Sequence, residues 1–268
     1  TYYGDPTLKI KQGLRVGEMM ITELEGDNDG VLDVAEVVSL TIPVHNRSEE
    51  DINGIRLEIS TADTLVEIIN GTGNLGDIVA GETGEVSGLG FSFGENAADG
   101  HLLILDAVMT PEEGEAWWDM IEISVRAPRL EAFGFGWGEI EGDGNGWVDP
   151  GETGVMSIHF RNDGGDDMHS EGQVLINSLD ERLITEQEAT PLQPVASENT
   201  GNTDYIEYSI SPNAEGLNVA FIEVTALVND ITRGSGIIAI PIGAEFSLDE
   251  NLDEQPVWQR SYAISEGL

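Results

Sequence analysis

An acidic segment of twelve residues occurs twice in this chain, and its repetition is the feature that most constrains the fold. The first copy is Glu25–Glu36 (EGDNDGVLDVAE) and the second, 116 residues later, is Glu141–Glu152 (EGDGNGWVDPGE). The similarity extends beyond the segment, because Asn46 corresponds to Asn162 at the same spacing. The chain is therefore predicted to contain two copies of one domain.

Each copy consists of short apolar or alternating segments separated by clusters of Gly, Asn, Asp and Pro, a pattern typical of β-strands joined by turns. No long stretch keeps a helical period. Six or seven strands in about 110 residues favour an antiparallel sandwich of immunoglobulin-like type. We expect an all-β fold of two tandem immunoglobulin-like β-sandwiches with extended terminal strands. The predicted strands are Val37–Val44, Ile55–Ile59, Leu65–Ile69, Val86–Phe93, Leu102–Met109 and Trp118–Val125 in the first copy, and Val155–Phe160, Gly172–Ile176, Tyr205–Ile210, Val219–Val228 and Ile237–Ile242 in the second.

Charge and pattern together divide the chain into four parts. Residues 1–17 are predicted to be a basic N-terminal arm, residues 18–127 the first sandwich, residues 128–244 the second sandwich, and residues 245–268 an acidic linker and terminal strand. Domains of this size can each bury a core. The chain has no cysteine, which excludes disulfides and a thiol nucleophile.

The two acidic segments carry the ligand order of a calcium-binding EF-type loop. Oxygen-bearing side chains occupy positions 1, 3, 5, 9 and 12, glycine occupies position 6, and position 7 needs to offer only its backbone carbonyl. A calcium ion takes about six to eight oxygens, so the loop must reverse sharply, and glycine permits that reversal. The predicted Ca²⁺ ligands are Glu25, Asp27, Asp29, Val31, Asp33 and Glu36 in the first loop, and Glu141, Asp143, Asn145, Trp147, Asp149 and Glu152 in the second.

These loops differ from a true EF-hand in two ways, because Glu opens them and because a strand pattern, rather than a helix, follows them. Their carboxylates would repel one another without a cation. The alternative interpretation is a solvated acidic turn between strands, for which Asp, Asn and Gly are common residues. Duplication of the whole pattern favours calcium.

The acidic balance of the chain limits its partners. The formal net charge is −40, and Lys9 and Lys11 are the only lysines. Phosphate binding needs clustered cations, so nucleic acid is excluded as a partner. The apolar runs reach only strand length, which excludes a membrane-inserted segment. We expect an extracellular or cell-surface location in saline or calcium-rich water, where counterions screen the self-repulsion. The alternative is that acidity only keeps a polymer soluble.

Both ends of the chain have strand patterns without an obvious partner. Thr1–Gly17 has a net charge of +2, and Pro256–Ile264 would place Trp258, Tyr262 and Ile264 on one face. A terminal strand that completes the sheet of a neighbouring copy would link subunits head to tail. Self-association into a polymer is therefore predicted. The alternatives are that each tail folds back onto its own domain or continues into a further domain.

Two resemblances to known families agree with this organisation. The segment Tyr3–Ile10 (YGDPTLKI) resembles the GDPTL segment that closes the catalytic region of gingipain-type secreted cysteine peptidases, in which an immunoglobulin-like domain follows. The acidic loops and sandwich pattern resemble the immunoglobulin-like modules of large bacterial surface and secreted proteins, and Asp143–Glu152 matches their DGxxDPGE-like turn. Such peptidases act through a Cys and His pair, and this chain has no cysteine. The resemblance therefore implies a non-catalytic part that follows a protease in the parent protein.

We therefore predict a non-catalytic extracellular structural protein, a calcium-stabilised tandem subunit of a filament or surface stalk. The first alternative is an accessory region of a secreted gingipain-type peptidase. The second is a module that binds a surface glycan through an exposed aromatic groove near Trp117 or Trp137. The histidines show no metal-ligand spacing and are expected to be packed or solvated side chains: His45, His101, His159 and His169.

Overall fold

The computed structural model describes residues 13–185, 187–214 and 218–243, and these residues form two β-sandwiches built from four sheets. The described residues contain nineteen strands and no helix, which confirms the predicted all-β fold of two tandem sandwiches. None of them therefore forms a helix that could span a membrane. Most of the predicted basic arm and all of the predicted C-terminal strand lie outside the described residues, and the exact domain limits stay a prediction.

The first sandwich consists of ten strands in two sheets. One sheet has the order β1-β4-β8-β6, with β2 also paired to β4, and the other has the order β3-β10-β9-β5-β7. The strands are β1 (Leu14–Val16), β2 (Met20–Glu25), β3 (Leu32–Asp33), β4 (Val37–Asn46), β5 (Ile52–Ser60), β6 (Val66–Asn70), β7 (Thr72–Ile78), β8 (Thr83–Phe93), β9 (His101–Thr110) and β10 (Trp117–Arg126).

The second sandwich consists of nine strands, also in two sheets. One sheet has the order β11-β12-β17-β14, with β16 paired to β12, and the other has the order β15-β13-β18-β19. The strands are β11 (Leu130–Glu141), β12 (Thr153–Asn162), β13 (Gly172–Ser178), β14 (Leu183–Thr185), β15 (Ala189–Leu192), β16 (Thr200–Asn202), β17 (Ile206–Ile210), β18 (Asn218–Val228) and β19 (Ile231–Ile242).

The sequence repeat is also a structural repeat. The strands β4 and β12 begin and end at positions 116 residues apart, and each is the central partner of its first sheet. Strand β11 covers the positions that are divided between β1 and β2 in the first sandwich. In both copies the third long strand pairs with the penultimate long strand, which pairs with the last one, in the order β5-β9-β10 and β13-β18-β19. Strands C, F and G have the same order in immunoglobulin-like sandwiches.

Each sandwich has its own core, made by the alternating pattern of its strands. In β4 every second residue is buried, including Leu40 and Ile42, and these pack with Phe91 of β8. In the second core Phe160 of β12 packs with the buried face of β18, including Ile222. No buried residue is shared between the two clusters of the described residues, so each sandwich folds around a separate hydrophobic centre.

The glycine-rich stretch at 134–138 (GFGWG) is a strand, although its sequence did not predict one. Within β11 Phe135 is buried and Trp137 packs against the second core. Glycines alternate with these rings along the strand, and Gly136, between them, lies opposite Ser157 of β12 with the ring of His159 next to it. The large aromatic residues supply the buried face that a glycine-rich strand otherwise lacks.

Candidate metal centres

The two acidic segments form loops at the same end of their sandwiches. We define loop 1 as residues 23–36 and loop 2 as residues 139–152. Loop 1 leaves the first sheet at β2, contributes β3 to the second sheet, and returns to the first sheet as β4. Strand β3 pairs in parallel with the end of β10, with Leu32 opposite Val125 and Asp33 opposite Arg126. Loop 1 therefore lies where the chain leaves the first sandwich for the second.

Loop 2 has the equivalent position in the second sandwich. It connects β11 to β12, and the carbonyl of Val148 accepts a hydrogen bond from the N–H of Gly243, directly after the last strand β19 (2.8 Å). Each loop thus links the two sheets at the end where its domain's last strand finishes.

The backbone of both loops coils around its own side chains. In loop 1 Asp27 Oδ1 accepts from Asp29 N (3.0 Å) and Asp29 Oδ1 accepts from Val31 N (2.7 Å). In loop 2 the corresponding bonds are from Asn145 N to Asp143 Oδ1 (2.9 Å) and from Trp147 N to Asn145 Oδ1 (2.7 Å). The glycine at position 6 is left-handed in both loops, with φ of 83° at Gly30 and 82° at Gly146.

The coiling brings carboxylate oxygens together at distances that suit a single cation. Within each group the ligand oxygens all lie within 4.8 Å of one another. The groups are Glu23, Asp27 and Glu36, then Asp27, Asp29 and Asp33 in loop 1, and Glu139, Asp143 and Glu152 in loop 2. Asp149 lies at the edge of the last group, where its Oδ2 accepts from Asn145 Nδ2 (2.6 Å).

The structure differs from the predicted ligand set at the first position of each loop. Glu25 and Glu141 are exposed and belong to none of the groups among the described residues, whereas Glu23 and Glu139 do. In a regular strand residues two apart share a face, but the register shifts between Glu23 and Glu25 and leaves Leu24 as an extra residue. The same β-bulge occurs between Glu139 and Glu141. The bulge turns the earlier Glu inward and the later one outward.

A sequence signal for Glu23 and Glu139 exists in the repeat itself. The two residues are 116 positions apart, so the duplicated pattern extends two residues upstream of the twelve-residue window. Glu23 Oε1 accepts from Gly30 N (2.6 Å) and Oε2 from Asn28 N, while Glu139 Oε1 accepts from Gly144 N (2.8 Å). Both carboxylates thus accept hydrogen bonds from backbone N–H groups of their own loops.

Loop 1 holds three acidic side chains in unusually dry surroundings. Glu23 is 8% exposed and Asp33 and Glu36 are each 4% exposed. Burial, together with the negative charges of Asp166 and Glu36, raises the pKa of Asp33 to about 8. Burial also raises the pKa of Glu36 to about 7, whereas for Glu23 the backbone N–H donors of the loop outweigh burial and lower the pKa. The ionised loop therefore needs a nearby positive charge.

Asp33 carries the clearest sign of a missing partner. Its Oδ1 atom is buried and accepts no hydrogen bond. A buried oxygen left without a donor is costly, and a bound cation removes that cost. The all-oxygen donor set of each loop fits Ca²⁺, which prefers carboxylate, amide and carbonyl oxygens. When bound, the ion would supply charge neutralisation and a crosslink between the strands on either side of the loop.

The loops differ in how the protein offsets their charge. In loop 1 Arg126 at the end of β10 pairs with Asp29 (2.9 Å). In loop 2 the position of Asp29 is taken by Asn145, and the position of Arg126 is taken by Ile242. One negative and one positive charge are therefore absent together at the second site, so loop 1 counted with Arg126 has the same net charge as loop 2.

Beneath loop 2 lies a buried hydroxyl. Tyr208 on β17 is almost fully buried and its Oη has no hydrogen-bond partner. Burial and the charges of Glu152 and Glu139 raise its pKa to about 12. Both loops thus adjoin a buried polar atom that the described residues do not satisfy.

The histidines and tryptophans are placed as follows. His101 Nε2 bonds Asp63 Oδ2 (2.6 Å) and His45 Nδ1 bonds Thr83 Oγ1 (2.5 Å). His169 lies near loop 1, with a ligand nitrogen within 4.8 Å of oxygens of Asp27 and Asp166. Sequence reasoning missed this group, because its members come from two domains and have no recognisable spacing.

The tryptophans considered for a glycan-binding module differ in their exposure. Trp117 packs against the first core and Trp137 against the second, and both are half-buried. Trp118, next along β10, is 68% exposed. Of the adjacent pair, Trp117 therefore belongs to the core and Trp118 is the exposed ring.

No protein-family model matches the sequence, and no curated protein matches it. Among solved structures, the chain is similar to red sea bream transglutaminase (12% identity, TM-score 0.36, covering 88% of this chain and 32% of that one). It is also similar to a protein of unknown function from Porphyromonas gingivalis W83 (13% identity, TM-score 0.26, covering 86% of this chain and 99% of that one). A third similar structure is the secreted serine protease VesC from Vibrio cholerae (10% identity, TM-score 0.27, covering 76% of this chain and 48% of that one). The chain spans about a third of the length of the transglutaminase. These similarities assign no family to the chain.

Proposed function

We propose that this chain is a non-catalytic structural element of an extracellular assembly, a tandem β-sandwich whose two acidic loops bind calcium. The observation that carries the proposal is the equivalent carboxylate arrangement at the same end of both sandwiches, together with the unpartnered Oδ1 of Asp33 in loop 1. Duplication of a costly carboxylate cluster is understandable if each copy is neutralised by an ion.

Calcium would act on the mechanics of each module. Loop 1 joins β2 and β4 of one sheet to β3 of the other, and loop 2 has the equivalent position. An ion held by Glu23, Asp27 and Glu36 would fix the end of the first sheet to the coiled loop. The loop would in turn hold the last strand through the β3–β10 pairing. Each sandwich would then behave as a rigid block.

The acidic surface supports the same setting. A net charge of −40 is screened in saline or calcium-rich water, where the folded state suffers less self-repulsion. An extracellular or cell-surface location follows from this proposal, and nucleic acid is not a partner. The alternative of an accessory region of a secreted peptidase shares the same fold and ion sites, and the exposed Trp118 is the residue on which a glycan partner would depend.

Self-association through the terminal segments belongs to the proposal and rests on the sequence pattern alone, since those segments lie outside the described residues. Removal of Gln255–Leu268 is expected to shorten the particles formed by the full chain, as measured by light scattering and electron microscopy. Monomers of the same size before and after the deletion would contradict assembly in series.

The calcium proposal is tested by thermal melts with calcium and with chelator. At calcium about a hundredfold above the dissociation constant, each occupied site adds about 2.7 kcal/mol to the stability of its sandwich. We expect chelation to lower both melting transitions. Asp27→Ala should abolish the calcium response of the first sandwich and Asp143→Ala that of the second, each leaving the other transition responsive. A melt that chelator does not change would overturn the proposal.

A further inference from the structure

The two sandwiches meet at a close junction. Asp99 Oδ1 accepts from Gly165 N (3.0 Å), and Arg233 Nη1 donates to the carbonyl of Ala97 (2.7 Å). A Cβ on Gly164 would clash with the backbone of residues 127–129, so this approach requires glycine. The end of the first sandwich that carries loop 1 thus lies against the β12–β13 connection of the second.

A cavity of about 200 Å³ lies at this junction and has walls from both sandwiches. Loop 1 forms one wall with residues 26–27 and 33–36, and the second sandwich contributes Asp166 and His169. Ligand atoms of Asp27, Asp166 and His169 lie within 4.8 Å of one another. This grouping exists only when the two sandwiches are docked.

Asp33 supplies a second and independent observation. Its side chain is 96% buried, lines the same cavity, and has an Oδ1 atom without a hydrogen-bond partner. Asp166 is 5% exposed and lines the cavity from the other domain. Two buried carboxylates on opposite walls are costly unless a positive charge lies between them.

The described arginines near the cavity direct their hydrogen bonds elsewhere. Arg126 pairs with Asp29 (2.9 Å). Arg233 donates from both terminal nitrogens to backbone carbonyls, its buried Nε has no hydrogen-bond partner, and Asp166 is close enough for its charge to act on the guanidinium. The side chain of His169 is 57% exposed, which leaves the cavity open to ions from solvent.

The donor set indicates the class of ion. Calcium prefers oxygen alone, whereas a site with an imidazole nitrogen and several carboxylates suits divalent transition metals such as Zn²⁺ and Mn²⁺. His169 Nε2 and Asp166 Oδ1 are 3.1 Å apart. Two ligands of a tetrahedral zinc ion with bonds of about 2.0–2.1 Å lie about 3.3 Å apart, so this distance suits shared coordination as well as a direct hydrogen bond.

We propose that the cavity between the sandwiches binds one divalent transition-metal ion through Asp27, Asp33, Asp166 and His169, and that this ion locks the two domains together. Asp27 and Asp33 each have two oxygens, so they can serve this ion and the loop 1 ion at once. The proposal requires the folded loop but not calcium at either loop. Within the part of the chain that the structure describes, loop 2 has no equivalent site, because its cluster of Glu139, Asp143 and Glu152 includes no histidine and no residue of another domain.

The test is a titration of the full chain with Zn²⁺ or Mn²⁺ in saturating calcium, followed by calorimetry and, for Mn²⁺, by electron paramagnetic resonance. We expect one equivalent of bound ion. His169→Ala and Asp166→Asn should each weaken binding at least tenfold, whereas His45→Ala, on the outer part of β4, should leave it unchanged. Calcium melts of the same variants report separately on the loops, so failure here is distinguishable from failure of the calcium proposal.

The locking effect is measured by the distance between the domains. The chain has no cysteine, so the exposed Glu58 of β5 and Glu223 of β18 can each be replaced by cysteine and spin-labelled. We expect the distance distribution to narrow when Zn²⁺ is added and to stay broad in Asp166→Asn. Absence of binding, or binding that His169→Ala and Asp166→Asn both leave unchanged, overturns the site, and Asp166 and His169 then form only an ion pair. Binding without narrowing overturns the lock.

Discussion

Loop 1 and loop 2 have the same backbone course and differ in what lies next to them. Both follow a β-bulge, both coil around a left-handed glycine, and both adjoin the end of the last strand of their domain. Among the described residues, a second domain covers loop 1 alone and adds Asp166 and His169 to its surroundings. The comparison teaches that a duplicated acidic loop gains different neighbouring side chains when a second domain packs against it, without any change to its own fold.

The same contrast holds for the buried asparagine after each central strand. Asn46 binds only within its domain, to the carbonyls of Glu50 and Ile78 and to Ser48. Asn162 makes the equivalent bonds to the carbonyls of Asp166 and Val195, and its Oδ1 also accepts from Arg129 N in the linker. One asparagine thus fastens a turn, while the other fastens a turn and the domain junction.

The largest effect is expected when this asparagine is removed. Asn162→Ala leaves buried backbone groups without partners and should lower the unfolding free energy of the second sandwich by about 2–4 kcal/mol. It should also release the backbone of Asp166 and so weaken Zn²⁺ binding at the junction. Chemical denaturation and zinc titration measure the two effects.

Asn46→Ala is the matched control. It should destabilise the first sandwich by a similar amount and leave the domain junction unchanged, because Asn46 contacts no residue of the linker among its described bonds. Equal loss of zinc binding in both variants would show that the junction depends on general stability rather than on Asn162.

A smaller effect is expected at Asp33, where the same substitution should stabilise the metal-free protein and destabilise the protein in calcium. Without metal, Asp33→Asn should raise the unfolding free energy of the first sandwich by about 1–3 kcal/mol at pH 7, because it removes a carboxyl whose pKa is raised to about 8 by burial and neighbouring charge. Because the folded-state pKa is raised from its ordinary value of 3.8, the wild-type carboxyl destabilises the folded protein at any pH above 3.8, and this cost grows as the pH rises toward 8. In calcium, the same variant should be less stable than wild type.

Asp149→Asn provides the comparison in loop 2. Asp149 is half-buried and already accepts from Asn145 Nδ2, so the metal-free stability of the second sandwich should change little. Thermal melts at several pH values with and without calcium measure both variants. If Asp33→Asn destabilised the metal-free protein, the buried carboxylate would be favourable by itself and would need no ion.

The sequence predicted the strands that alternate clearly and missed those whose pairing depends on distant residues. All eleven predicted strands overlap strands of the structure, because their period-two pattern reflects a buried face. Strand β3 is only two residues long and exists because it meets the end of β10. Strand β11 was missed because its glycines hide a buried face formed by Phe135 and Trp137.

The candidate sites divide in the same way. The spacing of Asp27, Asp29 and Asp33 is local, so the sequence identified them as neighbours. Glu23 required knowledge of a β-bulge, since without the extra residue Glu25 would share its face. Asp166 and His169 belong to a different domain, and only the docking of the two sandwiches brings them to loop 1. Local pattern predicts a loop, whereas a junction depends on tertiary structure.

The parallel pairing of β3 with β10 has a consequence for tension along the chain. Val125 and Arg126 are the last residues before the linker, and they bond to Leu32 and Asp33 inside loop 1. A pull on the linker therefore acts directly on the acidic loop through this pairing, and it loads the hydrogen bonds between the two strands lengthwise. The extension at which the first module yields would then vary with the ions dissolved around it.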